Sequence, residues 1–126
     1  MELRVFLVDD LVTMRSLIED LLSTIGGLRL VATANGEGEA KVWLDDHRGA
    51  WDLAIVDLVL DQGSGMGVIR HARSVAPEGR VVVFSAFATP GIASHCVRLG
   101  ADAVFDKTQT RDFVAWLQTQ RPGPRD

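Results

Sequence analysis

Short apolar runs and amphipathic stretches alternate five times along the chain. Leu3 to Val8 is an almost unbroken apolar run stopped by Asp9 and Asp10, the pattern of a strand buried on both faces. Met14, Leu17, Ile18, Leu21 and Leu22 then recur at helical spacing, with Thr13 as the expected N-cap and Gly26-Gly27 as the stop. Leu28 to Ala34 predicts a second strand. Glu37 to Asp46 predicts a second helix, whose apolar content is Ala40, Val42, Trp43 and Leu44. A third apolar run, Leu53 to Val56, ends at Asp57. A glycine-rich loop from Gln62 to Gly67 follows, then a helix to about Ala76, broken by Pro77 and Gly79. Arg80 to Phe84 is the most β-branched run in the chain and predicts a central strand ending at Ser85. Thr89 and Pro90 have the chemistry of an N-cap and first helical position, opening a helix that carries Ile92, Ala93, Cys96, Val97 and Leu99 and closes at Gly100. Ala103 to Phe105 predicts a fifth strand, met at once by Asp106 and Lys107. A last helix, from about Gln109 to Gln120, turns Phe113, Val114 and Leu117 inward.

Strand and helix alternating in this way imply an α/β fold, a parallel sheet covered by helices on both faces. Five strands suit the doubly wound, flavodoxin-like order 2-1-3-4-5. The expected organisation is one domain over residues 1–120 and a short Pro-rich tail over 121–126. Composition narrows the function. The 126 residues are 47% hydrophobic and 24% charged, with a formal net charge of −4. Such a balance suits a globular domain and argues against direct nucleic-acid binding, which draws on a basic face. Cys96 is the single cysteine, so no internal disulfide forms. No neutral run approaches the roughly 20 residues of a membrane span. Met1 to Val8 is too short and too charged for a signal peptide. A soluble cytoplasmic protein without membrane insertion is the expectation.

The candidate chemistry sits where the strands end. Asp9 and Asp10 follow the first strand, Asp57 the third, Ser85 the fourth and Lys107 the fifth. In an open parallel sheet, ligands bind at the carboxyl ends of the strands, where the strand order reverses. The order 2-1-3-4-5 makes strands one and three neighbours at that point and gathers three carboxylates into one pocket. Clustered carboxylates repel each other, and a hard cation that prefers oxygen ligands, Mg²⁺ above all, resolves the conflict. Beside a lysine, such an ion neutralises a phosphoryl group in transfer, and Asp57 becomes a carboxylate nucleophile. Ser85 can donate its hydroxyl to the phosphoryl group, and Ala86 is small enough to leave room for it. Each residue alone has a plainer explanation: acids open helices, Asp and Ser make turns, and lysines are solvated. Four loops delivering reactive groups to one sheet edge are not explained in that way.

The acid pair in VFLVDD, the segment DLVLDQGSG, the strand end VVVFSA and the segment GADAVFDK together resemble the receiver domain of bacterial two-component response regulators, from Leu3 to about Leu117. The separations from Asp57 to Ser85 and from Ser85 to Lys107 agree with that family. The resemblance implies a phosphorelay switch rather than a conventional enzyme, with intrinsic autophosphorylation and autodephosphorylation chemistry. It makes Asp57 the phospho-acceptor. Asp10 is implied as a direct Mg²⁺ ligand, Asp9 as a ligand through water and Val59 as a ligand through its backbone carbonyl. Lys107 and Ser85 are implied as contacts of the phosphoryl group, and Gly65 matches the family's loop glycine. The implied donor is a sensor histidine kinase or a histidine phosphotransfer protein, and the implied output is binding of a downstream protein.

Three positions depart from the family: Asp61 and Thr108 stand where proline is common, and Val104 stands where an aromatic switch residue is usual. Phe105, one residue on, should face the other way by strand alternation. The output surface is expected on the last two helices and fifth strand, near Arg98, Asp102, Arg111 and Asp112. The alternative is a phosphotransfer intermediate or phosphate sink without conformational output. A flavin-type cofactor binder is disfavoured, because the acidic switch point repels a cofactor phosphate. Gly63, Gly65 and Gly67 do not make the dinucleotide fingerprint. His71 and His95 suit surface positions better than a metal centre. Cys96 and the three tryptophans suit packing.

Overall fold

A computed structural model describes residues 2–121. Of the expected tail over 121–126, everything from residue 122 onward lies outside the described residues. The elements alternate as β1 (Leu3–Val8), α1 (Val12–Ile25), β2 (Leu28–Ala34), α2 (Glu37–Asp46), β3 (Leu53–Val56), α3 (Gly65–Val75), β4 (Arg80–Ser85), α4 (Pro90–Leu99), β5 (Ala103–Asp106) and α5 (Thr110–Gln120). The strands form one parallel sheet in the order β2-β1-β3-β4-β5, the doubly wound fold that the sequence predicts.

Strand alternation divides the core into two layers. Phe6, Val8, Ala54, Val56, Val81 and Val83 face α2, α3 and α4 together with Ala40, Leu44, Val68, Ile69 and Cys96. Val5, Leu7, Leu53, Ile55, Val82 and Phe84 face α1 and α5 with Ile18, Leu22, Phe113 and Leu117. On the second face the rings of Phe84 and Phe113 stack with centroids 4.2 Å apart, a pairing that adds about 0.5–1.5 kcal/mol to their burial. Val104 packs on the first layer and Phe105 on the second, so the two residues do face opposite ways. Of the residues predicted to turn inward on α4, Cys96 alone is fully buried, and Val97 is exposed. This helix is therefore the least anchored of those on its face.

Helix ends follow local chemistry, with two corrections. Thr13 is not the cap of α1. The helix begins at Val12 with Leu11 in the cap position, and Asp9, two residues earlier, accepts the Leu11 N–H through Oδ1 at 2.9 Å. Nor does the glycine-rich loop run to Gly67. Ser64 accepts the Met66 N–H at 3.1 Å and starts α3 at Gly65. At α4 the expected cap holds, with Thr89 Oγ1 accepting the Ile92 N–H ahead of Pro90.

One ion pair pins the sheet at the end opposite the strand carboxyl termini. Asp52, just before β3, accepts the backbone N–H of Arg4 at 2.7 Å and its guanidinium through Nε and Nη2 at 3.1 Å each. Hydrogen bonding from Arg4 holds the Asp52 carboxyl below the usual carboxylate range. A depressed folded-state pKa gives stability that is present above the unfolded value, about 3.9, and is lost as pH falls through the folded one. Asp52→Asn is therefore expected to lower the melting temperature by a few degrees at neutral pH. The gap from wild type should narrow below about pH 4, where the carboxylate protonates. Melting curves across that range check it; a gap independent of pH removes the ion pair as its cause. Both side chains are about one-third exposed, at 37% for Arg4 and 32% for Asp52, which keeps the effect modest.

Candidate functional site

The site is made by register. Val8 pairs with Val56 across β1 and β3, and the Asp57 N–H donates to the Val8 carbonyl at 2.9 Å. The residues that follow each strand, Asp9 with Asp10 and then Asp57, are thereby brought side by side. One carboxylate oxygen from each lies within 4.8 Å of the others. On the far side Ser85 pairs with Asp106, and the Lys107 N–H donates to the Ser85 carbonyl at 3.2 Å. That places the lysine beside the cluster. Its ammonium donates to Asp57 Oδ2 at 3.1 Å and to Asp9 Oδ2 at 3.3 Å.

The three acids differ in setting. Asp9 is 2% exposed and Asp57 6%, whereas Asp10 is only half-buried. Burial pushes the Asp9 carboxyl up, and the Leu11 N–H and Lys107 partly oppose this. Asp9 has both oxygens engaged, one by Leu11 and one by Lys107. Asp10 Oδ2 accepts the Asp61 N–H at 2.8 Å. Three hard carboxylate oxygens with one ammonium leave a net negative pocket, so the donor set fits a divalent oxygen-seeking cation. Asp10, Asp57, Val59, Ala86 and Lys107 share the lining of one depression of about 260 Å³. Leu11, Leu60, Asp61 and Phe87 complete its lining.

Ser85 is placed differently from expectation. It is fully buried and stands outside that lining; its Oγ accepts the Phe87 N–H at 3.3 Å. It stands at the end of a central strand, paired with Asp106 of β5 and beyond the last pairing with β3, Val56 with Val83. Asp102 is exposed, as a residue near the expected output surface should be, and it also pairs with Arg73 at 3.0 Å and accepts the Val81 N–H at 2.8 Å. His71 pairs with Asp45, and His95 is exposed. Trp51 and Cys96 are buried, as packing residues should be.

The glycine predicted at the loop has a steric role. A Cβ on Gly65 would overlap the Asp57 carbonyl oxygen, and the Gly65 N–H donates to the Leu58 carbonyl at 3.0 Å. Gly63 takes φ +85°, a conformation that glycine adopts without strain. Sequence reasoning passed over Glu37. Its N–H donates to the Gln62 carbonyl at 2.9 Å, and its carboxylate accepts the Ser64 N–H at 2.8 Å and pairs with Lys41. Glu37 thus fastens α2 to the loop that follows the acceptor.

Comparison with known proteins agrees with this geometry. The family described as the response regulator receiver domain matches residues 5–117. The acid tolerance regulatory protein ActR of Rhizobium meliloti (strain 1021) is 31% identical over 94 residues, covering 75% of this chain and 45% of ActR. The chain thus spans less than half of that relative's length. The chemotaxis protein CheY of Bacillus subtilis (strain 168) is 25% identical over 111 residues, covering 88% of this chain and 90% of CheY. The response regulator domain of Thermotoga maritima CheB shares the fold with a TM-score of 0.79 at 20% identity, covering 97% of this chain and 100% of that one. With the strand order, the acid cluster and a family match from residue 5 to residue 117 in agreement, the chain belongs to the response regulator receiver domain family of two-component signalling.

Proposed function

We propose that the chain is a phosphoryl-accepting switch, phosphorylated on Asp57 by a histidine kinase or histidine phosphotransfer protein in the cytoplasm. The receiver unit occupies residues 1–120, ahead of the tail over 121–126. The supporting observation is the Lys107 ammonium, set between Asp57 and Asp9 at the edge of a three-carboxylate cluster. Asp9, Asp10, Asp57 and the Val59 carbonyl would hold Mg²⁺. The half-buried Asp10 suits direct ligation, and the fully engaged Asp9 suits contact through water. When bound, the ion supplies positive charge to the oxygens of the transferring phosphoryl group. An Asp57 carboxylate oxygen attacks phosphorus, the bond from phosphorus to the donor's imidazole nitrogen breaks, and that nitrogen keeps the electron pair. Lys107 compensates the charge that arrives on Asp57. The depression beside Ala86 leaves room for the phosphoryl group.

Incubation with a small acyl phosphate donor and Mg²⁺ is expected to add one hydroxylamine-labile phosphoryl group, located on Asp57 by peptide mapping. Label on another residue, or equal labelling with the metal chelated, overturns the assignment. Among the described residues no helix is long and apolar enough to cross a membrane.

Output follows from Ser85. If its hydroxyl turns toward the phosphoryl group, it gives up the Phe87 N–H that it now accepts. Phe87 is 54% exposed, so its loop is free to shift without opening the core. Val104 carries no ring to rotate, and it lines a shallow depression of about 490 Å³ with Ala93, Val97 and Arg98. Signalling therefore runs through the segment 86–89 and the start of α4 rather than through an aromatic flip. Beryllofluoride added with Mg²⁺ is expected to move the NMR amide signals of Phe87 and Thr89 as well as those of the site. Shifts confined to residues touching the mimic would instead support the phosphate-sink alternative.

A further inference from the structure

We propose that Asp61 is a positioning residue for the metal: its backbone N–H fixes the orientation of the Asp10 carboxylate, and its side chain adds charge at the rim. This rests on the Mg²⁺ site proposed above. Among the described residues, the Asp61 N–H is the donor found on the Asp10 carboxylate, at 2.8 Å to Oδ2. Asp10 is only half-buried and has no contact with Lys107 comparable to those of Asp9 and Asp57. Without this bond its carboxylate is free to rotate, and the ion must order it on binding. With it, the carboxylate that contributes an oxygen to the set shared with Asp9 and Asp57 is held in one orientation. Hydrogen bonds to metal-bound carboxylates orient them in this way.

The donor is itself pre-aimed. The next residue, Gln62, gives its carbonyl to the Glu37 N–H at 2.9 Å, and Ser64 donates its N–H to the Glu37 carboxylate at 2.8 Å. The loop is thus fastened to the N-terminus of α2 on the far side of Asp61. A proline at 61 would have no N–H and could not make the bond. The Asp61 side chain is exposed and borders both the depression at the acceptor and a neighbouring groove of about 750 Å³. Its charge draws cations toward the mouth, an attraction that salt screens.

The two contributions separate by substitution. Asp61→Ala keeps the N–H and loses the charge. Asp61→Pro loses both. Mg²⁺ affinity is read from the metal-induced rise in melting temperature. Asp61→Ala is expected to weaken binding only about two- to threefold at low salt and negligibly at high salt. Asp61→Pro is expected to weaken it about tenfold at either salt concentration, the scale at which outer partners of metal ligands act. In an Asp10→Ala background the Ala-to-Pro difference should vanish, because the effect runs through Asp10. Amide hydrogen exchange gives a measurement that does not depend on the proline variant folding: the Asp61 N–H should be protected in the wild type and unprotected in Asp10→Ala. Equal Mg²⁺ affinity in the Ala and Pro variants, or an unprotected Asp61 N–H in the wild type, overturns the proposal while leaving the metal site standing. A wild type that binds no Mg²⁺ overturns both.

Discussion

Asp57→Asn is expected to abolish phosphoryl incorporation and, in metal-free buffer, to raise the melting temperature. The first outcome is a loss of the nucleophile: an amide oxygen does not form an acyl phosphate under these conditions. The second follows from charge. Asp57 sits with Asp9 and Asp10 so that their oxygens lie within 4.8 Å. At an effective dielectric near 20, two unit charges about 5 Å apart interact by roughly 3 kcal/mol. Asp57 meets two such repulsions and one attraction, from Lys107 at 3.1 Å. Neutralising it removes all three, and the amide oxygen still accepts from the ammonium. The net gain is about 1–3 kcal/mol, several degrees in melting temperature for a domain of this size. Excess Mg²⁺ should reverse the order, because it stabilises the wild type by binding the folded state and has lost a ligand in the variant. A variant that melts below the wild type in chelator would show that Lys107, rather than the carboxylate repulsion, dominates the pocket.

Much of this arrangement is legible from one sequence because it depends on patterns that repeat locally. The run Leu3–Val8 and the run Arg80–Ser85 are too apolar and too β-branched to be anything but buried strands, and each ends in a polar residue that topology carries to the same edge. The acids and Lys107 follow from strand order alone. The parts that were not legible are made by backbone donors and long-range pairs. Asp9 replaces Thr13 at the start of α1 because a loop turned its carboxylate onto the Leu11 N–H. The role of Glu37 depends on Ser64, far along the chain, and that of Asp61 depends on a backbone N–H that every residue except proline has. The partners of Asp102, Arg73 and the Val81 N–H, come from other elements and leave no mark in the sequence around it.

Lys107→Ala is expected to destabilise the metal-free protein by about 3–5 kcal/mol, the usual consequence of removing one partner from a buried charge pair. Asp9 at 2% exposure and Asp57 at 6% are both left without their ammonium. The pH dependence tells this loss apart from a simple packing defect. Burial already raises the Asp9 carboxyl, and Lys107 works against that rise. Without the lysine the folded-state value climbs further. A carboxyl whose folded pKa lies above its unfolded one binds its proton more tightly when folded. The charged form therefore costs stability above the folded value, and the cost disappears as pH falls through it toward the unfolded value, about 3.9. The variant should regain stability relative to wild type on mild acidification. Mg²⁺ should restore it at neutral pH, by putting a cation where the ammonium was lost. Lys107→Met, which keeps most of the aliphatic stem, should behave in the same way. A deficit that is the same with and without Mg²⁺, and that does not change on mild acidification, would mean that Lys107 supports the fold through its stem and not through its charge.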